Sequence, residues 1–309
     1  MSVVVTGGAG FVGVHVLEEL NRSNRGAVVA LDNCRFASAA HLRKVQKLAE
    51  LRRVDLLADD IETLFAGLHP EAVIHLAGVH QAAFCENHRT DALRINVETL
   101  ERVLAASSVA GVRRIFIASS SAVYAPSESP YHEGDAVEPP DFYGLTKAIN
   151  EQQMRLFSAR HPSVHCAIGR LFNVVGGFET SPRLAPEVVR RALRDDVIPI
   201  GNLTPRRDYV HVKDVARAIV AMTFDNDAPL DVCNIGSGVD WSVEELIGVV
   251  GRVLGRDLRM QPQPELIREN ERMLISARID KIMERYNWRP RYGLEEAMRD
   301  AIAFAQEAA

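Results

Sequence analysis

Short runs that are apolar at successive positions recur through the first half of the chain. Each is followed by a longer stretch whose apolar residues fall three or four apart. Continuous apolar runs belong to strands buried on both faces, and the longer stretches to helices that cover them. The pattern predicts strands at 3–6, 28–32, 54–57, 72–77, 114–118 and 164–169. It predicts helices at 11–21, 41–51, 91–107 and 143–160, the last ended by His161-Pro162. This alternation implies an α/β chain with a parallel sheet covered on both sides. After about residue 174 it loosens. Residues 174–186 are rich in Gly and Pro and read as a loop over a cleft, followed by a helix at 187–194. A strand at 208–211, a helix at 212–223 and a strand at 232–235 return the chain to the sheet. A helix at 241–254 opens with the capping box Ser242-Val243-Glu244-Glu245, and 294–305 is a terminal helix. No linker-like composition marks a boundary. Two intertwined lobes are therefore expected, one from 1–174 with a return at 207–235, the other from 175–206 and 236–309.

The first strand breaks into Gly7-Gly8-Ala9-Gly10-Phe11-Val12-Gly13, and the second ends in Asp32. A strand, a glycine turn, a helix and a second strand tipped by a carboxylate describe a dinucleotide site of the Rossmann type, on a doubly wound sheet. Gly7 allows the sharp turn, Gly10 the approach of a pyrophosphate, and Gly13 close packing of the helix on the sheet. The helix N-terminus then receives the anion on its unpaired N–H groups. A carboxylate at Asp32 accepts from the adenosine ribose hydroxyls and repels a 2′-phosphate, so NAD is expected over NADP. Arg35, three residues on, reads as solvated.

Composition narrows the classes. The 309 residues are 47% hydrophobic and 25% charged, ordinary for a globular chain of one large or two smaller domains. A net charge of −5 offers no basic field for nucleic acid or anionic lipid, so an anionic ligand must rest on local cations and backbone amides. No apolar run approaches the roughly 20 residues of a membrane helix. Cys34, Cys85, Cys166 and Cys233 are scattered with no metal-ligand spacing, which predicts reduced thiols, a cytoplasmic location and no metal site.

Tyr143 and Lys147 stand four residues apart, on one face of a predicted helix. A free phenol titrates near pH ~10, too high for a base at neutral pH, and a nearby cation lowers it. Lysine is also placed to hold a nicotinamide ribose. Ser119-Ser120-Ser121 ends a buried strand 22 to 24 residues earlier, at the sheet edge where ligands bind in open α/β folds. A serine there hydrogen-bonds a substrate hydroxyl and shares its proton with Tyr143.

With these features the chain resembles the extended short-chain dehydrogenase/reductase family, in its nucleotide-sugar epimerase/dehydratase branch, and closest to the UDP-sugar 4-epimerases. The resemblance runs over nearly the whole length: Thr6 to Gly13; Asp32-Asn33; Asp60-Ile61; His75-Leu76-Ala77-Gly78; Asn96; Ser119 to Tyr124; Tyr143 to Lys147; Arg170 to Val174; and Arg207 to Ala216. It implies that Phe11, Val12, Asp32 and Asn33 line the cofactor with the glycines. It also implies that Asp60 and Ile61 contact the adenine, and that Leu76, Ala77 and Gly78 line the cofactor above a strand end supported by Asn96. Ser120, Tyr143 and Lys147 would be catalytic. Ser121 and Asn173 would meet the substrate, and Arg207 and Arg268 would clamp its diphosphate, Arg272 being a rival for the latter role. A homodimer through helices 91–107 and 143–160 is implied as well. The chain departs from the family pattern at Val174-Val175-Gly176-Gly177, at Ala125 and at Arg278.

Members of this branch begin with Tyr143's counterpart taking a proton from the sugar 4-hydroxyl while a hydride passes from C4 to NAD. Dehydratases then need an acidic pair at the positions of Ser121 and Ala122, and neither residue supplies a carboxylate. The resemblance therefore implies a 4-epimerase of the UDP-hexose or UDP-hexuronate class, which returns the hydride to the opposite face. A 4-ketoreductase of a nucleotide 4-keto-deoxysugar is the alternative, and a non-catalytic dinucleotide-binding regulator a further one. Arg183, in the predicted cleft loop, suggests recognition of a charged sugar such as a uronic acid.

Overall fold

A computed structural model describes residues 2–267 and 271–308. Seven parallel strands form the main sheet: β1 (Ser2–Thr6), β2 (Ala27–Asp32), β3 (Glu50–Arg53), β4 (Ala72–His75), β5 (Arg114–Ser120), β6 (His165–Leu171) and, later in the chain, β10 (Leu230–Ile235). Their order is β10-β6-β5-β4-β1-β2-β3, parallel at every step. Successive side chains point to opposite faces. Val3 and Val5 of β1 enter one apolar core, and Val4 enters the other. The first core is covered by α1 (Phe11–Arg22), α2 (Ala39–Leu48) and α9 (Val212–Phe224). The second is covered by α3 (Ile61–Leu68), α6 (Thr99–Val109) and α7 (Phe142–Arg160). The doubly wound parallel sheet is thus present as expected.

The third strand lies earlier than the pattern suggested. The helix expected over 41–51 stops at Leu48, Ala49 turns extended, and Glu50–Arg53 pairs with β2. β3 is an edge strand with one neighbour, so it tolerates the polar run Glu50, Arg52, Arg53 that a central strand would not. Val54 and Leu56, the apolar residues that suggested a strand, bury their side chains from the following loop. The helix expected over 91–107 is α5 (Arg89–Leu93) joined to α6 by a π-helical turn at Arg94–Glu98, and α4 (Ala82–Asn87) precedes it.

Beyond β6, β7 (Asn173–Val175) begins a smaller four-stranded sheet with β9 (Arg206–His211), β11 (Asp240–Ser242) and β13 (Leu274–Ile275). The 208–211 strand therefore exists but belongs to this sheet, and the chain rejoins the main sheet through α9 and β10. β8 (Val197–Ile200) pairs with β12 (Arg259–Pro262). A third core gathers α8 (Leu184–Ala192), α10 (Val243–Leu254) and α12 (Leu294–Ala308), with α11 (Asp280–Tyr286) packed near β10. The capping box at Ser242 and Glu245 is formed as read. Among the described residues no helix is long and apolar enough to cross a membrane, no His/Cys/Asp/Glu cluster fits a metal, and all four cysteines are unpaired.

Candidate active site

The chain runs outward from β1 to β3 on one side and from β4 to β10 on the other, so the winding reverses between β1 and β4. That reversal opens a crevice at the carboxyl ends of these strands. Its floor is glycine by necessity. Gly7 has φ +71°, and a Cβ there would lie 2.7 Å from the Ala77 nitrogen. A Cβ on Gly13 would lie 2.3 Å from the Gly7 carbonyl oxygen. Gly10 caps α1 in an extended conformation with no side-chain cap, and no acidic residue occupies the first turn. The α1 N-terminus thus presents uncapped amides to the crevice, with Phe11 and Val12 at its first positions.

Asp32 ties this turn to the end of β2: its carboxylate accepts from Ala9 N at 3.0 Å and from Cys34 N at 2.7 Å. Asn33 is exposed and its side-chain oxygen accepts from Arg35 N. Arg35 is exposed, and its guanidinium lies over the exposed Phe36 ring. Asp60 is exposed and caps α3 through Thr63 N, while Ile61 buries its side chain in the second core. At the end of β4, Leu76 N donates to Thr6 O, and Ala77 faces Gly7. Gly78 has φ +154°, with Asn96 and Lys147 closing on the space a Cβ would fill. Asn96, in the π-helical turn, binds both backbone groups of Val79 and also donates to Thr146 Oγ1 at 2.9 Å. These glycines and open amides fit the pyrophosphate and ribose of a dinucleotide.

Ser120 ends β5, and Tyr143 and Lys147 lie on α7, whose N-terminus Asp141 caps. Gly144 allows that close approach, since a Cβ there would lie 2.3 Å from Ala122 O. Lys147 is buried and donates to the Ala118 carbonyl at 2.9 Å. Burial pulls its ammonium down to about 8. Burial pushes the Tyr143 phenol up from its usual range. The charge of Arg183 and a hydrogen bond with Ser120 oppose that rise. The opposing charge comes from Arg183 in the cleft loop, whereas the sequence spacing had suggested Lys147. Ser121 is buried beside Ser120, and Ala122 N donates to Ser120 Oγ at 3.2 Å.

In the smaller sheet Asn173 pairs with Tyr209 and donates to the Asp208 carbonyl at 3.4 Å, and Arg207 precedes Asp208 on β9, where it pairs with Trp241 and Ile275. Arg268 lies outside the described residues. Its rival Arg272 reaches the Ser121 carbonyl and the Tyr131 hydroxyl. Arg278 pairs with Asp280.

Sequence reasoning passed over His80. It is solvent-accessible yet crowded by protein; that crowding, then the charges of Arg183 and Lys147, hold its imidazole well below the usual range. Its signal was position, two residues past Gly78 at a strand end. Sequence reasoning also gave no role to Glu151, which accepts from Ser119 at 2.6 Å and pairs with buried Arg170.

Such a crevice defines an NAD-binding α/β fold with a tyrosine–lysine–serine site. The model of the NAD dependent epimerase/dehydratase family matches residues 3–236, and the chain belongs to that family. The UDP-glucose 4-epimerase of Erwinia amylovora is 29% identical, over 97% of this chain and 96% of its own. The solved structure of MoeE5 with UDP-glucuronic acid and NAD superposes with a TM-score of 0.89 at 28% identity, covering 100% of both chains. The UDP-glucose-4-epimerase from Stenotrophomonas maltophila, bound to NAD and formylated UDP-arabinopyranose, gives 0.92 at 24% identity, over 100% of this chain and 98% of that one.

Proposed function

We propose that the protein is an NAD-dependent nucleotide-sugar 4-epimerase acting on a UDP-hexose or UDP-hexuronate. The observation that carries this reading is the convergence of Ser120, Tyr143 and Lys147 on the glycine crevice, with Ser121 and Ala122 where an elimination would need acids. NAD bound in that crevice supplies a reversible acceptor for the C4 hydrogen and its two electrons. The remaining work belongs to the chain. Tyr143 Oη takes the proton of the sugar 4-hydroxyl and returns it after the sugar has turned. Ser120 Oγ holds that hydroxyl and the phenol in one hydrogen-bonded line. The charge of Arg183 opposes the rise that burial gives the phenol, and Lys147 is placed to hold the nicotinamide ribose. Rotation of the sugar needs a fixed tether, and Asn173, Arg207 and Arg268 are assigned to its diphosphate, where guanidinium forks suit phosphate.

Residues 1–174 with the later return carry the cofactor side of this arrangement, and 175–206 with 236–309 the substrate side, to which β7 and β9 add Asn173 and Arg207. Arg183 supports the uronate reading, because its charge reaches both Tyr143 and His80. A homodimer is supported by exposed Leu93 and Val109 near the ends of α5 and α6, with Leu145 and Leu156 on α7. Unpaired cysteines support a reducing, cytoplasmic setting.

The test is proton NMR of purified protein with UDP-glucose, UDP-N-acetylglucosamine or UDP-glucuronate in separate tubes, with no cofactor added. Anomeric signals of the galacto isomer establish a 4-epimerase that retains NAD and name its sugar. No conversion in any tube overturns the reading. Arg183→Ala with an unchanged preference among the three sugars overturns the uronate assignment.

A further inference from the structure

The three serines at the end of β5 are held by different partners. Ser119 Oγ donates to Glu151 Oε1 at 2.6 Å, and Glu151 takes two bonds from Arg170, at 2.8 and 2.7 Å. The Arg170 guanidinium lies 4.7 Å from the centre of the Tyr124 ring. Tyr124 stacks on Tyr131, with centroids 4.7 Å apart and planes inclined by 12°. Arg272 lies over Tyr131 at 5.1 Å. It donates to the Tyr131 hydroxyl and, at 3.4 Å, to the carbonyl oxygen of Ser121. Arginine, tyrosine, tyrosine and arginine therefore stack in sequence. The two ends of the stack close on the residues immediately before and after Ser120.

We propose that this stack is a positioning device for Ser120, with Arg272 as the residue that closes it on the cleft side. The inference rests on Ser120 being the proton-sharing partner of Tyr143. Ser120 itself is only half-buried, and its hydroxyl accepts from one backbone donor, Ala122 N, at 3.2 Å, close to the Tyr143 phenol on which it acts. The orientation of that hydroxyl follows the backbone on either side of it. On one side the Ser119 side chain is anchored to a buried ion pair. On the other the Ser121 carbonyl begins a 3-10 turn, and its amide plane is held by Arg272. Tyr131 is pinned in turn: its N–H donates to Ser276 O and its carbonyl accepts from Arg278 N. Only a planar cation with several donors can lie on a ring and bond two acceptors at once, which distinguishes arginine from lysine here.

The experiment compares Arg272→Ala, Arg272→Lys and Tyr131→Leu in the NAD-loaded enzyme, in wild-type and Ser120→Ala backgrounds, with UDP-glucose and UDP-glucuronate. A positioning role predicts that Arg272→Ala lowers kcat about ten- to a hundredfold with KM within about twofold, since small displacements of reacting groups have costs of that size. Lysine restores little of it, and Tyr131→Leu behaves like Arg272→Ala. In the Ser120→Ala background Arg272→Ala adds nothing further. A rise in KM at constant kcat would instead make Arg272 a diphosphate ligand and overturn the proposal. So would effects that multiply in the double variant. A readout independent of turnover is the crystal structure of Arg272→Ala with NAD. Displacement of Ser120 Oγ relative to Tyr143 Oη supports the device, and an unchanged position overturns it. If Ser120→Ala alone keeps wild-type kcat, the catalytic reading of Ser120 fails, while the structure still decides whether Arg272 positions it.

Discussion

Arg170 and Glu151 form a two-bond ion pair in which both side chains are at most 2% exposed, and the same carboxylate receives Ser119. The pair lies below the proposed catalytic serine and ties α7 to β6 and β5. Its hydrogen bonds and charge lift the Arg170 guanidinium above its normal range, against the opposing effect of burial.

Removing one member leaves a buried charge without a partner. Glu151→Ala is expected to destabilise the protein by about 3–5 kcal/mol, whereas replacing both members by apolar residues of similar volume costs far less. Urea denaturation of Glu151→Ala and of Arg170→Met with Glu151→Leu checks this. Equal losses in the two proteins would refute it.

Tyr143→Phe keeps the ring and removes the hydroxyl that exchanges the proton. Turnover should fall about 10²- to 10⁴-fold, the usual weight of a positioned acid–base group. NAD content after purification should remain near wild type, read from the absorbance of the released nucleotide.

The glycines of the crevice separate into two kinds. A methyl group on Gly13 meets the Gly7 carbonyl at 2.3 Å, so Gly13→Ala should lower the melting temperature of the apo-protein as well as NAD binding. On Gly10 the nearest atom is the Gly7 carbonyl oxygen at 3.2 Å, which need give only a few tenths of an ångström, so Gly10→Ala should cost the apo-protein less than Gly13→Ala while weakening NAD binding. Calorimetry of both apo-proteins, with NAD titration, separates the two.

Lys147 gives a pH signature. Burial lowers its folded value to about 8, below the unfolded value near 10.5. Between those values the unfolded chain binds more protons, so this group's contribution to stability rises with pH there. Below pH 8 the cost of burying the ammonium is fully present. Lys147→Met should be most favoured relative to wild type at pH 7, with the gap narrowing toward pH 10 in urea midpoints of the apo-proteins. A gap independent of pH would contradict the assignment.

Local rules made much of this protein legible. Apolar runs, the capping box at Ser242 and the glycine turn depend on neighbours within a few residues, and the strands and helices of the main sheet follow from them. Legibility failed where a partner is distant. Edge position let Glu50–Arg53 replace the apolar 54–57 as the third strand. Pairing with β7 drew Arg206–His211 into the smaller sheet, a choice invisible to propensity because both sheets accept the same sequence.

Within the crevice, sequence spacing alone placed Tyr143 and Lys147 one helical turn apart, and the glycine pattern alone required a turn that a Cβ would obstruct. Those are consequences of helix pitch and of backbone sterics, which travel with the local chain. Tertiary structure decided which charge reaches the phenol. Arg183 is forty residues from Tyr143 in the chain, and only the folding of the loop before α8 across the sheet edge brings it near. The same holds for Arg272 at the Ser121 carbonyl, 151 residues away. Electrostatic and stacking interactions act through space, so their partners are set by packing and not by order along the chain.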